Sequence, residues 1–270
     1  MHIEASPLNL LGTSTSNHRP SGIFSIPALG DRGENLDTLL LRLHSLWTNS
    51  GTLFTPEQVS ALKAASMDLD QHCTEWEDSR LEEFKSVTIG DISHQQEDSE
   101  IPVGYWPGKV DTYFDLYVAG VWNIFRSARL LLIALIMKHS DMVRNSENYI
   151  KYTRKANTIV KEMIASIPFH LADNLQVFRS QLSEDTRVIE PGKYLGGLLL
   201  IHPLYVASEM SFVPETMREY LRRCLEWIGL NMGFGQATLL ASVCNHVLNY
   251  TWRLIANILS FRHLELTPIF

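Results

Sequence analysis

Apolar residues recur at three- and four-residue steps along most of the chain, and this spacing places side chains on one face of an α-helix. The first such series is Leu36, Leu39, Leu40, Leu43, Leu46 and Trp47. The next helix is predicted to begin at Thr55-Pro56-Glu57, because a capping residue followed by proline and an acid is typical of a helix start. Its apolar series continues from Val59 towards Phe84.

Two segments in the middle of the chain carry the strongest helical pattern. Residues 110–139 include the fully apolar stretch 130–137, which predicts a central helix that other helices surround. Residues 147–167 form the next predicted helix. We expect Pro168 to end it, because proline cannot donate a backbone hydrogen bond.

The last third of the chain predicts three further helices. Residues 193–210 are strongly apolar and contain Pro203, which predicts a kink. Pro214-Glu215 begins the next helix, whose inner face is predicted to be Met217, Leu221, Cys224 or Leu225, and Ile228. Gly233 and Gly235 precede a final predicted helix over residues 236–261.

The predicted fold class is all-α, because no segment alternates cleanly between apolar and polar residues with hairpin turns on either side. Residues 1–34 are rich in Ser, Gly, Pro, Asn and Thr, which predicts a flexible N-terminal tail. Residues 35–270 are predicted to form a single irregular multi-helix domain with a central apolar helix and a Pro-kinked helix. Within it, the glycines, prolines and acidic run of residues 86–109 predict a long exposed acidic loop.

Charge and cysteine content narrow the classes of function. The net charge is −7, and no run of four basic residues occurs, so direct DNA binding is not expected. Three cysteines without a CxxC pair indicate an intracellular protein with no thiolate zinc site. The longest apolar run has eight residues, whereas a membrane span needs about 20, so no membrane association is expected.

Four segments resemble one known family, in the same order along the chain. They are YFDLYVAGVWNIFRSAR at 113–129, ASIPFHL at 165–171, GGLLLIHPLYVA at 196–207 and IGLNMGFGQA at 228–237. These segments resemble the fungal-specific transcription factor domain, the helical regulatory domain that usually follows a Zn2Cys6 cluster in regulators of fungal metabolism. The resemblance covers residues 105–240 and is weaker over 36–85.

The sequence departs from that family in two respects. The sequence lacks the six cysteines of the Zn2Cys6 cluster, so it does not contain the DNA-binding element that the family uses. His202 stands where the family usually has an aromatic residue such as Trp. The resemblance implies a nuclear location, although no basic localisation run is present.

The candidate catalytic residues are His202, Tyr205 and Glu209. They are spaced about one helical turn apart, so all three can lie on one face of the Pro-kinked helix and point into an interior cavity. The alternative interpretation is structural: a hydrogen-bonded core histidine, a space-filling tyrosine and a solvated glutamate.

The candidate ligand-binding residues are Trp106, Tyr113, Tyr117, Arg126 and Arg129. Together with Trp122, the aromatic members form a cluster whose polar tips are typical of a small-molecule pocket, although aromatic stripes are more often core. Arg126 and Arg129 lie one turn apart, so they are able to grip one carboxylate jointly. The alternative is that they, with Asp115, form ion pairs that set the order of the helices.

No motif for a cofactor or a nucleophile is present, and no cofactor is expected. No metal site is predicted either, because the histidines are scattered without ligand spacing: His44, His72, His94, His139, His170, His246 and His263.

Three functions remain open. The first is a transcription-regulator domain that acts through protein partners or a small-molecule effector. The family resemblance implies that it controls, or belongs to, a fungal secondary-metabolite gene cluster. The second is a cofactor-independent enzyme of fungal natural-product biosynthesis, such as a pericyclic or isomerising cyclase, which would be located in the cytoplasm. The third is a protein-interaction module. The sequence does not determine an oligomeric state.

Overall fold

The computed structural model describes residues 24 and 189 and the ranges 26–28, 34–51, 55–93, 101–139, 146–180 and 192–242. Within these residues the fold is mostly helical, which confirms the predicted class, and a small two-stranded sheet is added to it. The elements in chain order are α1 Leu36–Asn49, α2 Pro56–Asp78, β1 Val87–Ile92, β2 Gly108–Thr112, α3 Leu116–His139, α4 Glu147–Leu171, α5 Leu175–Ser180, α6 Tyr194–Glu209, α7 Glu215–Met232 and α8 Gly235–Ser242.

The first two helices begin where the sequence predicts, at residues whose side chains cap the free backbone N–H groups. The Asn35 side chain accepts a hydrogen bond of 2.8 Å from the backbone N–H of Thr38. Thr55 and Gln58 form a reciprocal capping box at the start of α2. On these two helices Leu40 and Leu69, which belong to the apolar face, are fully buried.

Helix α3 is the centre of the fold, as predicted from its apolar stretch. It contacts α1, α2, α4 and α6. Leu130, Leu131, Leu132 and Ile133 have no exposed surface. The helix is long and apolar enough to cross a membrane, but 83% of its most apolar window is buried inside the protein, so its place in the core accounts for its composition.

The prediction of an exposed loop over residues 86–109 is wrong at both ends, where the structure has strands. Strand β1 pairs antiparallel with β2, and the register shifts between Thr88 and Gly90. Strand β2 also replaces the first turn of the helix predicted to begin at residue 110. Between the strands, Gly104 and Tyr105 are buried, and the Gly104 N–H donates to the Tyr220 hydroxyl at 3.0 Å. The acidic run 97–100 lies outside the described residues.

The prediction that Pro168 ends its helix is also wrong. Helix α4 continues to Leu171, with Pro168 inside its last turn. A proline there removes a hydrogen bond to only one earlier carbonyl. The following residues Phe169, His170 and Leu171 are buried, and this burial favours the helical path despite the missing bond. Pro203 lies inside α6 as predicted.

Part of the predicted N-terminal tail packs on the helical body. Ile26 is buried, and Arg80 donates a hydrogen bond of 2.7 Å from Nη1 to its carbonyl oxygen. Ala28 and Arg80 form an isolated antiparallel bridge. The contact therefore ties this segment to the end of α2.

The C-terminal helices follow the predicted pattern as far as the structure describes them. The inner face of α7 is buried as predicted, at Met217, Leu221, Cys224, Leu225 and Ile228. Gly233 then adopts the left-handed conformation, with φ of 76°, which a side chain would strain. Of the final helix predicted over 236–261, α8 reaches Ser242, and the remainder lies outside the described residues.

Candidate functional site

A cavity of about 680 Å³ lies between the end of α2, the β1–β2 hairpin, α3 and α4. This volume is within the range of about 300–1,000 Å³ that small-molecule sites occupy. Helix α3 supplies Trp122 and Arg126, and the segment before β2 supplies Trp106. The hairpin that sequence analysis did not predict forms one wall, so the cavity depends on it.

Arg126 is the buried charge of the cavity, with 4% of its side chain exposed. Its Nη1 donates to the Tyr113 hydroxyl at 2.8 Å and to Asn123 Oδ1 at 3.1 Å, while Nε donates to Glu162 Oε2 at 3.3 Å. Burial opposes its charge, but Tyr113 and Glu162 outweigh burial and raise the pKa of Arg126. The guanidinium is therefore a permanent cation whose Nη2 has no partner among the described residues.

The acidic residues of the cavity are largely held by partners of their own. Glu162 accepts from Arg126, and Asp111 accepts a hydrogen bond of 2.8 Å from the Thr88 hydroxyl. Glu77 is ion-paired with Arg129. Burial raises the pKa of Glu77, and the Arg129 charge opposes that rise. Asp78 is the acidic lining residue for which the described chain provides no partner.

The basic residues at the mouth of the cavity differ in their pairing. Lys85 is 2.6 Å from Glu82. Lys109 and Lys161 are exposed and have no partner within the described ranges. The lining contains as many basic as acidic residues, namely Lys85, Lys109, Arg126 and Lys161 against Glu77, Asp78, Asp111 and Glu162. The cavity is thus electrically balanced in a chain whose net charge is −7.

The aromatic candidates divide between the cavity and its support. Trp106 and Trp122 line it. Trp106 packs against Tyr220 with ring centroids 4.8 Å apart, and the Trp122 indole donates to the Phe84 carbonyl oxygen at 2.7 Å. Tyr113 contributes through its bond to Arg126. Tyr117 is 49% exposed and is not among the residues that line the cavity.

Arg126 and Arg129 do not converge on one carboxylate, although they are one turn apart. Arg129 faces α2, where its Nη2 donates to Thr74 Oγ1 at 2.8 Å and lies 3.6 Å from Asp70 Oδ1, in addition to the Glu77 pair. Asp115 pairs with neither arginine. It accepts a hydrogen bond of 2.7 Å from the Val118 N–H and so caps the start of α3.

The candidate catalytic residues on α6 lie elsewhere in the fold. Tyr205 is 1% exposed, while His202 and Glu209 are half-buried, and none of the three is among the residues that line the cavity. The Tyr205 hydroxyl has no hydrogen-bond partner among the described residues. Burial, followed by the charge of Glu209, raises the pKa of Tyr205 to about 12, so this phenol stays protonated at neutral pH.

The scattered histidines include one that is fully buried. His170 Nδ1 lies 2.9 Å from the Ser166 carbonyl oxygen, and burial lowers the pKa of His170 to about 4. Its imidazole is therefore neutral and has a structural contact at the end of α4. In the part of the chain that the structure describes, no three His, Cys, Asp or Glu side chains form a group that could hold a metal ion.

Sequence reasoning missed several cavity residues, among them Asp111, Lys161 and Glu162. A signal existed on α4, where Thr158, Lys161, Glu162 and Ala165 recur at helical spacing and form a strip that faces the cavity. No comparable signal marked Asp111, because its burial depends on the pairing of β1 with β2.

Comparison with known proteins gives one relative. The chain is similar to transcription factor dbaG of Emericella nidulans, with 39% identity over 256 residues. The match covers 89% of this chain and 61% of that protein, so the chain spans about three fifths of that relative's length. No protein-family model and no solved structure matches the chain. The chain is therefore related to a fungal transcription factor.

Proposed function

We propose that this chain is a regulatory region of a fungal transcription regulator that controls a secondary-metabolite gene cluster through a bound effector or a protein partner. The observation that carries the proposal is the match to a protein named as a transcription factor, which covers 89% of this chain. Because the match covers 61% of that relative, the proposal concerns this region and leaves open what other segments contribute.

The finer assignment is to the fungal-specific transcription factor domain. It is supported by the four motifs, each of which falls on a helix or a helix boundary of the fold. The segment 113–129 includes the first half of α3, and 165–171 is the end of α4. The segment 196–207 lies within α6, and 228–237 joins α7 to α8 through Gly233.

The proposed mode of action does not involve contact between this region and DNA. Its net charge of −7 repels a phosphate backbone, and nucleic-acid binding relies on attraction to that backbone. A region of this kind acts on transcription through what it binds, and the cavity beside Arg126 is of a suitable size for a small effector. We also propose a nuclear location, because the relative is named as a transcription factor.

Deletion of the gene, with transcripts and metabolites measured in the same cultures, tests the proposal. A regulator predicts that transcripts of the neighbouring biosynthetic genes change together and that the metabolite changes with them. Unchanged transcripts with an accumulated pathway intermediate would contradict the proposal and favour a cofactor-independent enzyme. Re-introduction of the gene at a distant locus is the control, because it restores a regulator without restoring the local chromosome.

A further inference from the structure

The cavity contains an unused hydrogen-bond donor on a buried cation. Arg126 lines the cavity and is 4% exposed, and its Nε and Nη1 are bound to Glu162, Tyr113 and Asn123. Its Nη2 has no partner among the described residues. A planar guanidinium with a free N–H edge is suited to an anionic oxygen, because such hydrogen bonds are about twice as strong as neutral ones.

The groups that remain unpaired around the cavity favour an anion. Of the four lining carboxylates, Glu77 is ion-paired with Arg129, Glu162 with Arg126, and Asp111 accepts from the Thr88 hydroxyl. Lys109 and Lys161 have none in the described chain, and they stand at the mouth with the single unpaired acid Asp78. An incoming anion therefore meets two lysines without partners in the described chain and the free N–H edge of Arg126.

The remaining walls favour a flat apolar body on that anion. Trp106 is half-buried beside Tyr220, so part of its ring is available to a ligand. Trp122 also lines the cavity, with its indole N–H bonded to the Phe84 carbonyl oxygen, but it is 5% exposed and so adds a small apolar contact beside Trp106. Ile164 and Ala165 of α4 add aliphatic surface. Stacking on tryptophan faces selects planar rings.

We propose that the cavity binds a planar aromatic carboxylic acid, with its carboxylate at Arg126 Nη2 and near Lys161 and its rings against Trp106 and Trp122. This inference names the effector class of the proposed function and rests on it. A carboxylate rather than a doubly charged phosphate is favoured because the lining has as many acidic as basic residues and so does not compensate a second negative charge. The volume of about 680 Å³ accommodates two or three fused rings.

Calorimetric titration of the full chain with 2-naphthoic acid tests the inference, with 2-naphthamide as the neutral probe of the same shape. We expect the acid to bind with a Kd below about 1 mM and the amide to bind about tenfold more weakly. Equal affinities for acid and amide, or no binding of the acid at that concentration, would overturn the proposal. Cyclohexanecarboxylic acid, an anion without an aromatic ring, should also bind more weakly than the naphthoate.

Variants at exposed and half-buried positions locate the site without disturbing the buried arginine. Lys161→Gln should weaken naphthoate binding about threefold, because an exposed ion pair contributes modestly. Trp106→Leu should weaken it about tenfold, since stacking on a ring is lost. Lys151→Gln, on an exposed position of the same helix outside the cavity lining, is the matched control and should leave affinity unchanged. Equal effects at Lys151 and Lys161 would place the anion elsewhere and refute the assignment.

The binding assay and the gene deletion test different claims, so a negative result in one is distinguishable from a negative result in the other. Binding with the expected selectivity but unchanged transcripts would leave the site intact and remove its regulatory role. Changed transcripts with no selectivity for the acid would keep the regulator and remove this class of effector.

Discussion

The cavity beside the hairpin and the α6 face that carries Tyr205 both place polar groups inside a helical protein, but their surroundings differ. Around the cavity, Arg126 has partners on its own helix, on α4 and in the segment before α3. On α6, the Tyr205 hydroxyl has no partner among the described residues, and Leu204 and Val206 beside it are completely buried. The first arrangement surrounds an accessible space, and the second fills the core.

The difference shows why helical spacing alone does not identify a site. His202, Tyr205 and Glu209 have the spacing of a common face, but that face is not part of the cavity wall. Arg126 and Trp122 also sit at a one-turn spacing, and they line a cavity because the hairpin, which packs against α4, forms one wall of the space beside them. The neighbouring element decides whether a polar face meets open space.

Removal of Arg129 should have the largest effect on stability. Arg129→Met leaves Glu77 without its cation at the junction of α2 and α3, whereas Asp70 keeps its ion pair with Lys155, whose Nζ is 2.6 Å from Asp70 Oδ1. Because an abandoned, partly buried carboxylate is strongly unfavourable, we expect a loss of about 3 kcal/mol in the free energy of unfolding by urea. Arg154→Met, at an exposed position on α4, should change it by less than about 0.5 kcal/mol. Similar losses in the two variants would disprove the ion-pair role.

The pH dependence of stability should report His170, at the end of α4. Burial lowers the pKa of His170 to about 4 from its ordinary value of 6.5. Between these values the unfolded state binds the additional proton, so stability is present above pH 6.5 and is lost as the pH falls towards 4. Within this interval His170 should lower the free energy of unfolding by about 1.4 kcal/mol for each unit by which the pH falls.

His170→Asn isolates this contribution, because asparagine can still donate to the Ser166 carbonyl oxygen but does not titrate. Urea unfolding of both proteins across this pH range should give a shallower dependence for the variant. Parallel curves would show that His170 is not the titrating group.

Tyr113→Phe removes the hydroxyl that accepts a hydrogen bond from Arg126 and leaves that buried cation with one partner fewer. A hydrogen bond to a charged group contributes about 1.5 kcal/mol or more, so we expect a loss of about that size in thermal or urea unfolding. An unchanged stability would mean that Arg126 finds a replacement partner and that the cavity tolerates its movement.

Tyr205→Phe is the matched change on α6 and should have the smallest effect. The Tyr205 hydroxyl is buried without a described partner, so its removal should leave stability unchanged or raise it by up to about 1 kcal/mol. The same unfolding measurement compares it with Tyr113→Phe. A loss equal to that of Tyr113→Phe would show that Tyr205 has an essential bond after all.

The sequence was sufficient to predict those helices whose start or buried face is determined by neighbouring residues in the chain. Thr55-Pro56 contains its own capping chemistry, and the helical spacing of α7 defines the face that is buried. Pro168 and the hairpin required tertiary information. Burial of Phe169 to Leu171 keeps α4 helical beyond the proline, and β2 contains the buried polar Asp111, which breaks the alternation that marks a strand.

The candidate site was only partly predictable for the same reason. Trp106, Tyr113 and Arg126 stand out in the sequence because large aromatics and arginine near an apolar helix are unusual. Lys109 and Asp111 reach the cavity only through the register of β1 and β2. Arg129 resembles Arg126 in sequence, but it faces α2, and only the packing of the helices separates their roles.

The most direct test of the account is to express the full protein with both Trp106→Leu and Lys161→Gln and to measure transcripts of the neighbouring genes at matched protein levels. We predict that these transcripts shift towards the level seen in the gene deletion, whereas Tyr205→Phe leaves them unchanged. Unchanged transcript levels in the cavity double variant would contradict the account. If the levels changed in Tyr205→Phe instead, the candidate site would lie on α6.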